Sequence, residues 1–120
     1  MSIVLARIDD RLIHGQVMTS WLNYTGANRI IIVDDETAND TFLKMIVTSV
    51  APANIKTEVF SVHEGAETIK QLAASDKVIL LAKSPEAYVE LMNQGIALEK
   101  VNIGGMGAVS YTHLTLPTNS

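Results

Sequence analysis

The chain has 120 residues, 48% of them hydrophobic, which is enough for one domain with a buried core. Thirteen acidic against nine basic residues give a net charge of −4 and a pI near 5.2, arguing against a nucleic-acid backbone or an anionic membrane as the main partner. There is no cysteine, which excludes disulfides and thiolate metal sites and fits a reducing cytosol. The first residues lack a basic-then-apolar leader pattern, and no apolar run approaches the roughly 18 residues needed to span a bilayer. The chain reads as soluble and cytoplasmic.

Strand-like and helix-like stretches alternate. Ile3 to Ile8 is the first strand, and His14 to about Tyr24 a helix with Val17, Met18, Trp21 and Leu22 on one face, closed by Gly26. Ile30 to Val33 is an unbroken β-branched run, as expected of a strand covered on both faces. A helix from about Asp40 to Val50 carries an apolar stripe of Leu43, Ile46, Val47 and Val50, and Pro52 ends it. Thr57 to Phe60 is a third, shorter strand. Ser61-Val62-His63-Glu64 has the form of a capping box, opening a helix whose Val62, Ala66, Ile69 and Ala73 face inward.

Val78 to Ala82 is a strongly apolar fourth strand. Ser84-Pro85 then supplies a cap and a first-turn proline, Tyr88, Leu91 and Met92 form the stripe, and Gly95 stops the helix. Val101 to Ile103 begins a fifth strand, followed by Gly104-Gly105. Strands alternating with helices imply an α/β fold, an open and mainly parallel sheet with right-handed crossovers and helices on both faces.

In such a sheet ligands bind beyond the carboxyl ends of the strands. Those ends carry Asp9 to Gly15, Asp34-Asp35, Ser61 to His63, Lys83-Ser84 and Gly104-Gly105. Only the first group combines a nucleophile, a cation and a helix start: His14 lies on the strand-to-helix turn, three residues after Arg11. Neutral imidazole has a free lone pair near pH 7 and can attack phosphorus without a strong base. Arg11 offers a bidentate fork to phosphoryl oxygens, and the amides after Gly15, at Gln16 and beyond, offer donors along the helix dipole. Asp9 or Asp10 could hold one imidazole nitrogen protonated and leave the other free. The segment has the makings of a phosphohistidine site.

Structural roles compete with this reading. Arg11 could simply pair with Asp9 or Asp10 at the surface. Asp34-Asp35-Glu36 suits a solvated turn capping the next helix, and His63 a first-turn surface position. Trp21, Met18, Met45 and Met92 sit at helical spacing and read as core. Gly104-Gly105 completes no dinucleotide fingerprint, and no cofactor is expected. A different function is a receiver-like module in which Asp9 and Asp10 bind Mg²⁺ and an aspartate accepts phosphate. Against it, the third strand runs into Ser61-Val62-His63, with no aspartate acceptor.

The stretch Val4-Leu5-Ala6-Arg7-Ile8-Asp9-Asp10-Arg11-Leu12-Ile13-His14-Gly15-Gln16-Val17 resembles the active-site segment of the IIB components of the mannose/fructose/sorbose family of bacterial sugar phosphotransferase systems. The likeness continues through Ile31 to Asp40, the helix into Ala51-Pro52, and Val101 to Met106. The resemblance implies that His14 takes phosphate from the phosphohistidine of a IIA component, with Arg11 beside the phosphoryl group. Onward transfer would go to a sugar held by the membrane components IIC and IID, with the chain cytoplasmic and peripherally attached to that complex. Histidine in place of the cysteine used by other sugar families agrees with the lack of cysteine.

By the same resemblance, residues 1–106 form a IIB domain lacking its C-terminal part, and residues 107–120 are a non-homologous tail resembling read-through of unrelated sequence. A sheet without that part would leave an uncovered edge near Val101, favouring self-association as a homo-oligomer.

Overall fold

Two aliphatic runs, Ile30 to Val33 and Val78 to Ala82, decide the architecture, because a strand with apolar side chains on both faces must be covered on both. The computed structural model describes residues 2–9, 15–98 and 102–103. In chain order its elements are β1 (Ser2–Ile8), α1 (Gly15–Thr25), β2 (Arg29–Val33), α2 (Asp35–Ala38), α3 (Thr41–Ser49), β3 (Lys56–Phe60), α4 (Val62–Lys70), β4 (Lys77–Ala82), α5 (Pro85–Asn93) and β5 (Asn102–Ile103). The strands form one sheet in the order β3-β2-β4-β1-β5, and every pairing is parallel. The expected α/β class is therefore the observed one. Val101 lies outside the described residues, and so do residues 104–120.

The side chains of β2 and β4 alternate between two cores. Ile31, Val33, Val78, Leu80 and Ala82 join Ala66 and Ile69 of α4 and Tyr88 and Leu91 of α5. Ile30, Ile32, Ile79 and Leu81 join Met18 and Leu22 of α1, with Val47 of α3 packed against them. All nine of these strand residues are fully buried, at 0% exposure. The edge strand β3, Lys-Thr-Glu-Val-Phe, buries only Val59, which suits one paired side and a half-solvated face.

β1 contains an irregularity that its sequence did not announce. Its register against β4 slips between Ile3 and Leu5, so Val4 is an extra residue. One inserted residue reverses the phase of a strand's alternation. Ile3, Ala6 and Ile8 consequently face the α4/α5 core, while Val4 and Leu5 both face the α1 core.

Helix ends follow the chain's local chemistry. Gly26 and Gly95 take φ of 71° and 101° after α1 and α5, conformations that disfavour a side chain. Asp40 caps α3 by accepting from the amides of Phe42 and Leu43, and the Ser61 hydroxyl accepts from Glu64 N–H to cap α4. Pro85 opens α5, although the Ser84 side chain makes no cap bond.

Three expectations need correcting. α4 ends at Lys70, so Ala73 is exposed in the following turn rather than inward. α3 lies over the margin of the sheet beside β3, where support comes from one side. Leu43 and Val47 are thus half-buried, while Ile46 and Val50 of the expected stripe are 44% and 41% exposed. Met45, expected in the core, is 59% exposed for the same reason, whereas Met18 is buried as expected.

Two close fits hold the helices to the sheet. A Cβ on Gly65 would lie 2.4 Å from Val33 Cγ1, so only glycine lets α4 approach β2 this closely. Tyr88 is wholly buried, and its hydroxyl shares its one proton between the carbonyls of Arg7 (2.5 Å) and Leu80 (2.9 Å), tying α5 to the neighbouring strands β1 and β4.

Gly65→Ala should destabilise the fold by about 1–3 kcal/mol through overpacking, measured by denaturant titration; an unchanged midpoint would show that α4 can slide freely. Burial pushes the Tyr88 phenol well above its ordinary range, against a smaller pull downward from the neighbouring Arg7 backbone and charge. The stability it contributes is complete below the unfolded-state value of about 10 and is lost as pH rises from there toward the folded-state value. Tyr88→Phe leaves two buried carbonyls without this donor and should cost about 1–3 kcal/mol at neutral pH. The loss should shrink as pH rises above about 10 in parallel melts of the two proteins.

Candidate functional site

Parallel strands deliver all their carboxyl ends to one edge. From β2 the chain turns outward to β3, and from β4 it turns the opposite way to β5, so the edge opens between β2 and β4. An open cleft of about 750 Å³ lies there, lined among others by Asp34, Glu36, Ser61, His63, Ser84 and Glu86. The topology thus brings together three of the five strand-end groups singled out in the sequence.

The polar groups of this cleft are largely occupied with holding the backbone. The Asp34 carboxylate caps α2, accepting from Thr37 N–H (3.0 Å) and from the buried Thr37 hydroxyl (2.6 Å). Asp35 accepts from Val62 N–H at 2.8 Å and so ties α2 to α4. The Lys83 ammonium sits 4.0 Å from Asp34 and 3.4 Å from Glu36. Glu36 is 73% exposed, so its pair is worth little. The structural expectation for Asp34-Asp35-Glu36 holds, with a four-residue helix in place of a plain turn. His63 is exposed in the first turn of α4, also as expected. Among the described residues no three acidic or histidine side chains converge as metal ligands.

The end of β1 is built differently. Asp9 follows the strand directly, continues its ladder by donating its N–H to the Ala82 carbonyl at 2.9 Å, and is buried at 1% exposure. Its carboxylate lies 3.8 Å from the Arg7 guanidinium. Arg7 in turn sits over the ring of Trp21 on α1, 5.1 Å from its centroid, with its side chain only 12% exposed. Trp21, expected as plain core, is half-buried and also presents its face to this cation.

Of the residues expected to carry chemistry, Asp9 is therefore fixed at the root of the strand-to-helix loop. Gly15 and Gln16 form the first residues of α1, where backbone N–H groups lack intrahelical partners. Asp10, Arg11 and His14 lie outside the described residues, as do Gly104 and Gly105. Arg7 was not singled out by the sequence reading. The available signal was a charge inside an otherwise apolar strand, two residues before an acid.

The family description "PTS system sorbose subfamily IIB component" matches residues 3–116. The fructose-specific EIIB component of Bacillus subtilis (strain 168) is 42% identical over 107 residues, covering 88% of this chain and 66% of that protein. The mannose-specific EIIAB component of Escherichia coli (strain K12) is 43% identical over 107 residues, covering 88% of this chain and 33% of that protein. The crystal structure of the IIBSor domain of the sorbose permease from Klebsiella pneumoniae superposes with a TM-score of 0.81 at 36% identity, covering 91% of this chain and 68% of that one. The chain thus spans about two thirds of the first relative's length and a third of the second's.

The division between structural and chemical carboxylates can be measured. Asp34→Ala removes a cap and leaves the buried Thr37 hydroxyl without its acceptor, and should cost about 2 kcal/mol in chemical denaturation. Glu36→Gln should stay within about 0.5 kcal/mol. Equal effects would mean that Asp34 is not the anchor of α2.

Proposed function

Because the chain belongs to the sorbose-subfamily IIB components of the sugar phosphotransferase system, we propose that it is a phosphocarrier that accepts phosphate on His14. The donor is the phosphohistidine of a IIA partner, and the acceptor is a sugar in transit through membrane components IIC and IID. The observation that carries this reading is the framing of the loop. Before it stands buried Asp9, paired with a guanidinium, and after it the start of α1 at Gly15, with Arg11 and His14 in the five residues between.

The chemistry follows from those groups. The unprotonated imidazole nitrogen of His14 attacks phosphorus, a new P–N bond forms, and the P–N bond to the donor histidine breaks, returning that ring's electron pair. Arg11 and the first amides of α1, from Gly15 and Gln16 onward, stabilise charge spread over the three phosphoryl oxygens. Asp9 is the orienting carboxylate, because a buried anion fixed by its backbone can keep the other imidazole nitrogen protonated. In the second step a sugar hydroxyl oxygen displaces the imidazole, which leaves with the electron pair of the broken P–N bond, and the hydroxyl proton passes to water as the P–O bond forms.

Relatives named for fructose, mannose and sorbose match this chain at 42%, 43% and 42% identity. Similarity at one level to proteins named for different sugars supports assigning sugar choice to the membrane components. Among the described residues no helix is long and apolar enough to cross a membrane, which agrees with a cytoplasmic subunit docked on the transporter.

Incubation with a phosphorylated IIA protein of the same family should give acid-labile, base-stable phosphate that maps to His14. His14→Ala should abolish the label and leave the circular dichroism spectrum intact. Undiminished labelling of that variant ends the proposal, and base-labile, Mg²⁺-dependent phosphate would point to the receiver-like alternative.

A further inference from the structure

α3 differs from α4 and α5 in what it shows to solvent. The exposed residues of α4 are His63, Glu64, Glu67 and Lys70, all titratable, and α5 exposes Glu86 and Glu90 among others. Along α3 and its C-cap the exposed residues are Thr41, Phe42, Met45, Ile46, Ser49 and Val50, and none carries charge. The Ser49 hydroxyl donates to the Ile46 carbonyl at 2.7 Å, so this polar side chain turns its donor back onto the helix.

Phe42, Met45, Ile46 and Val50 follow the spacing i, i+3, i+4 and i+8, which gathers them on one face. At 64, 59, 44 and 41% exposure they present on the order of 400 Å² of apolar surface, the size of patch that marks an interaction site. The face is also preformed. Val47 packs on the sheet core behind it, and the Asp40 cap, accepting from Phe42 and Leu43 N–H, fixes the first turn, so little order is left to be imposed by a partner.

A charged partner finds no opposite charge on this face. In a chain of net charge −4, a neutral face is where two copies can meet without bringing their acids together. Self-pairing also satisfies shape. With the helices antiparallel about a two-fold axis at Ile46, Phe42 of one copy meets Val50 of the other, because the two lie equally far from Ile46 along the chain. The large ring thus lies against the smaller side chain, twice, and the helix dipoles run head to tail. Two copies bury about 800 Å² through these side chains, and the polar residues beside them bring the total to about 1,200 Å², the lower end for a specific interface.

We propose that the outer face of α3 is a homodimer surface, taken by a second copy of this chain with Ile46 on the two-fold axis. It lies on the β3 side of the sheet, opposite the β5 side where the sequence suggested self-association. It does not depend on the phosphocarrier reading.

Sedimentation velocity of the full chain should show a reversible monomer–dimer equilibrium with a dissociation constant on the order of 10–100 µM, as suits an interface of that size. Ile46→Glu and Ile46→Lys should each weaken it by about tenfold or more, since the axis residue meets its own copy and like charges then face each other. An equimolar mixture of the two variants should recover the dimer by pairing one with the other. The parent chain has no cysteine, so Ile46→Cys supplies a single thiol and under added oxidant should give a disulfide-linked dimer, whereas Glu64→Cys on α4 should not. This second arm decides the matter should the charged variants lose their melting transition. A parent chain that stays monomeric to about 1 mM, a dimer that both charged variants leave intact, a mixture that recovers nothing, or equal cross-linking at positions 46 and 64 overturns the proposal.

Discussion

Everything in this molecule is organised by the need to cover β2 and β4 on both faces. Their aliphatic side chains alternate between two cores, and neither core could exist without the other, because the same backbone supplies both. That demand places α1 and α3 on one side and α4 and α5 on the other. It also forces parallel pairing, since each strand must be followed by a helix before the next strand can begin. The gathering of strand ends at one edge, and hence a location for chemistry, is a by-product of burying hydrocarbon.

Within that frame the fine placement of functional groups depends on small departures from regularity. The register slip in β1 turns Arg7 toward Trp21. Without the extra residue at Val4, the alternation that puts Ile3 in the α4/α5 core would put Arg7 there too. Gly65 allows α4 to rest directly on Val33. The Tyr88 hydroxyl reaches the carbonyls of two paired strands. These contacts fix the strands relative to the helices packed on them.

Much of the architecture was legible in the residues, and the reasons differ from element to element. β2 and β4 could be read because double-sided burial leaves no polar position in the run. α1 and α5 could be read because a stripe at helical spacing ends in a glycine at positive φ. α2 could not, since four residues are too few to display a period. The stripe of α3 misled because periodicity reports which residues share a face, not whether anything lies opposite it. At the site, the spacing of Arg11 and His14 supplied the proposed chemistry, and the resemblance supplied the family and the proposed partners. The choice between Asp9 and Asp10 was beyond the sequence, which shows both acids equally exposed to the reader. Burial is seen at Asp9, while Asp10 lies outside the described residues, and the placing of Arg7 against Trp21 depended on a slip in pairing that no propensity encodes.

The two rims of the sheet are held by different means. At the amino rim, Arg29 joins Glu58 at 2.8 Å and Asp76 at 3.9 Å, and the Asn28 side-chain oxygen accepts from Lys77 N–H at 2.9 Å. These bonds link β2, β3 and the entry to β4, at the end of the sheet opposite the carboxyl ends of the strands. Drift during evolution should therefore be judged by separate standards at the two rims. Exchanges at the amino rim are tolerated so long as charge pairing is kept, because only fold integrity is at stake. At the carboxyl rim a replacement can preserve the fold completely and still silence the protein.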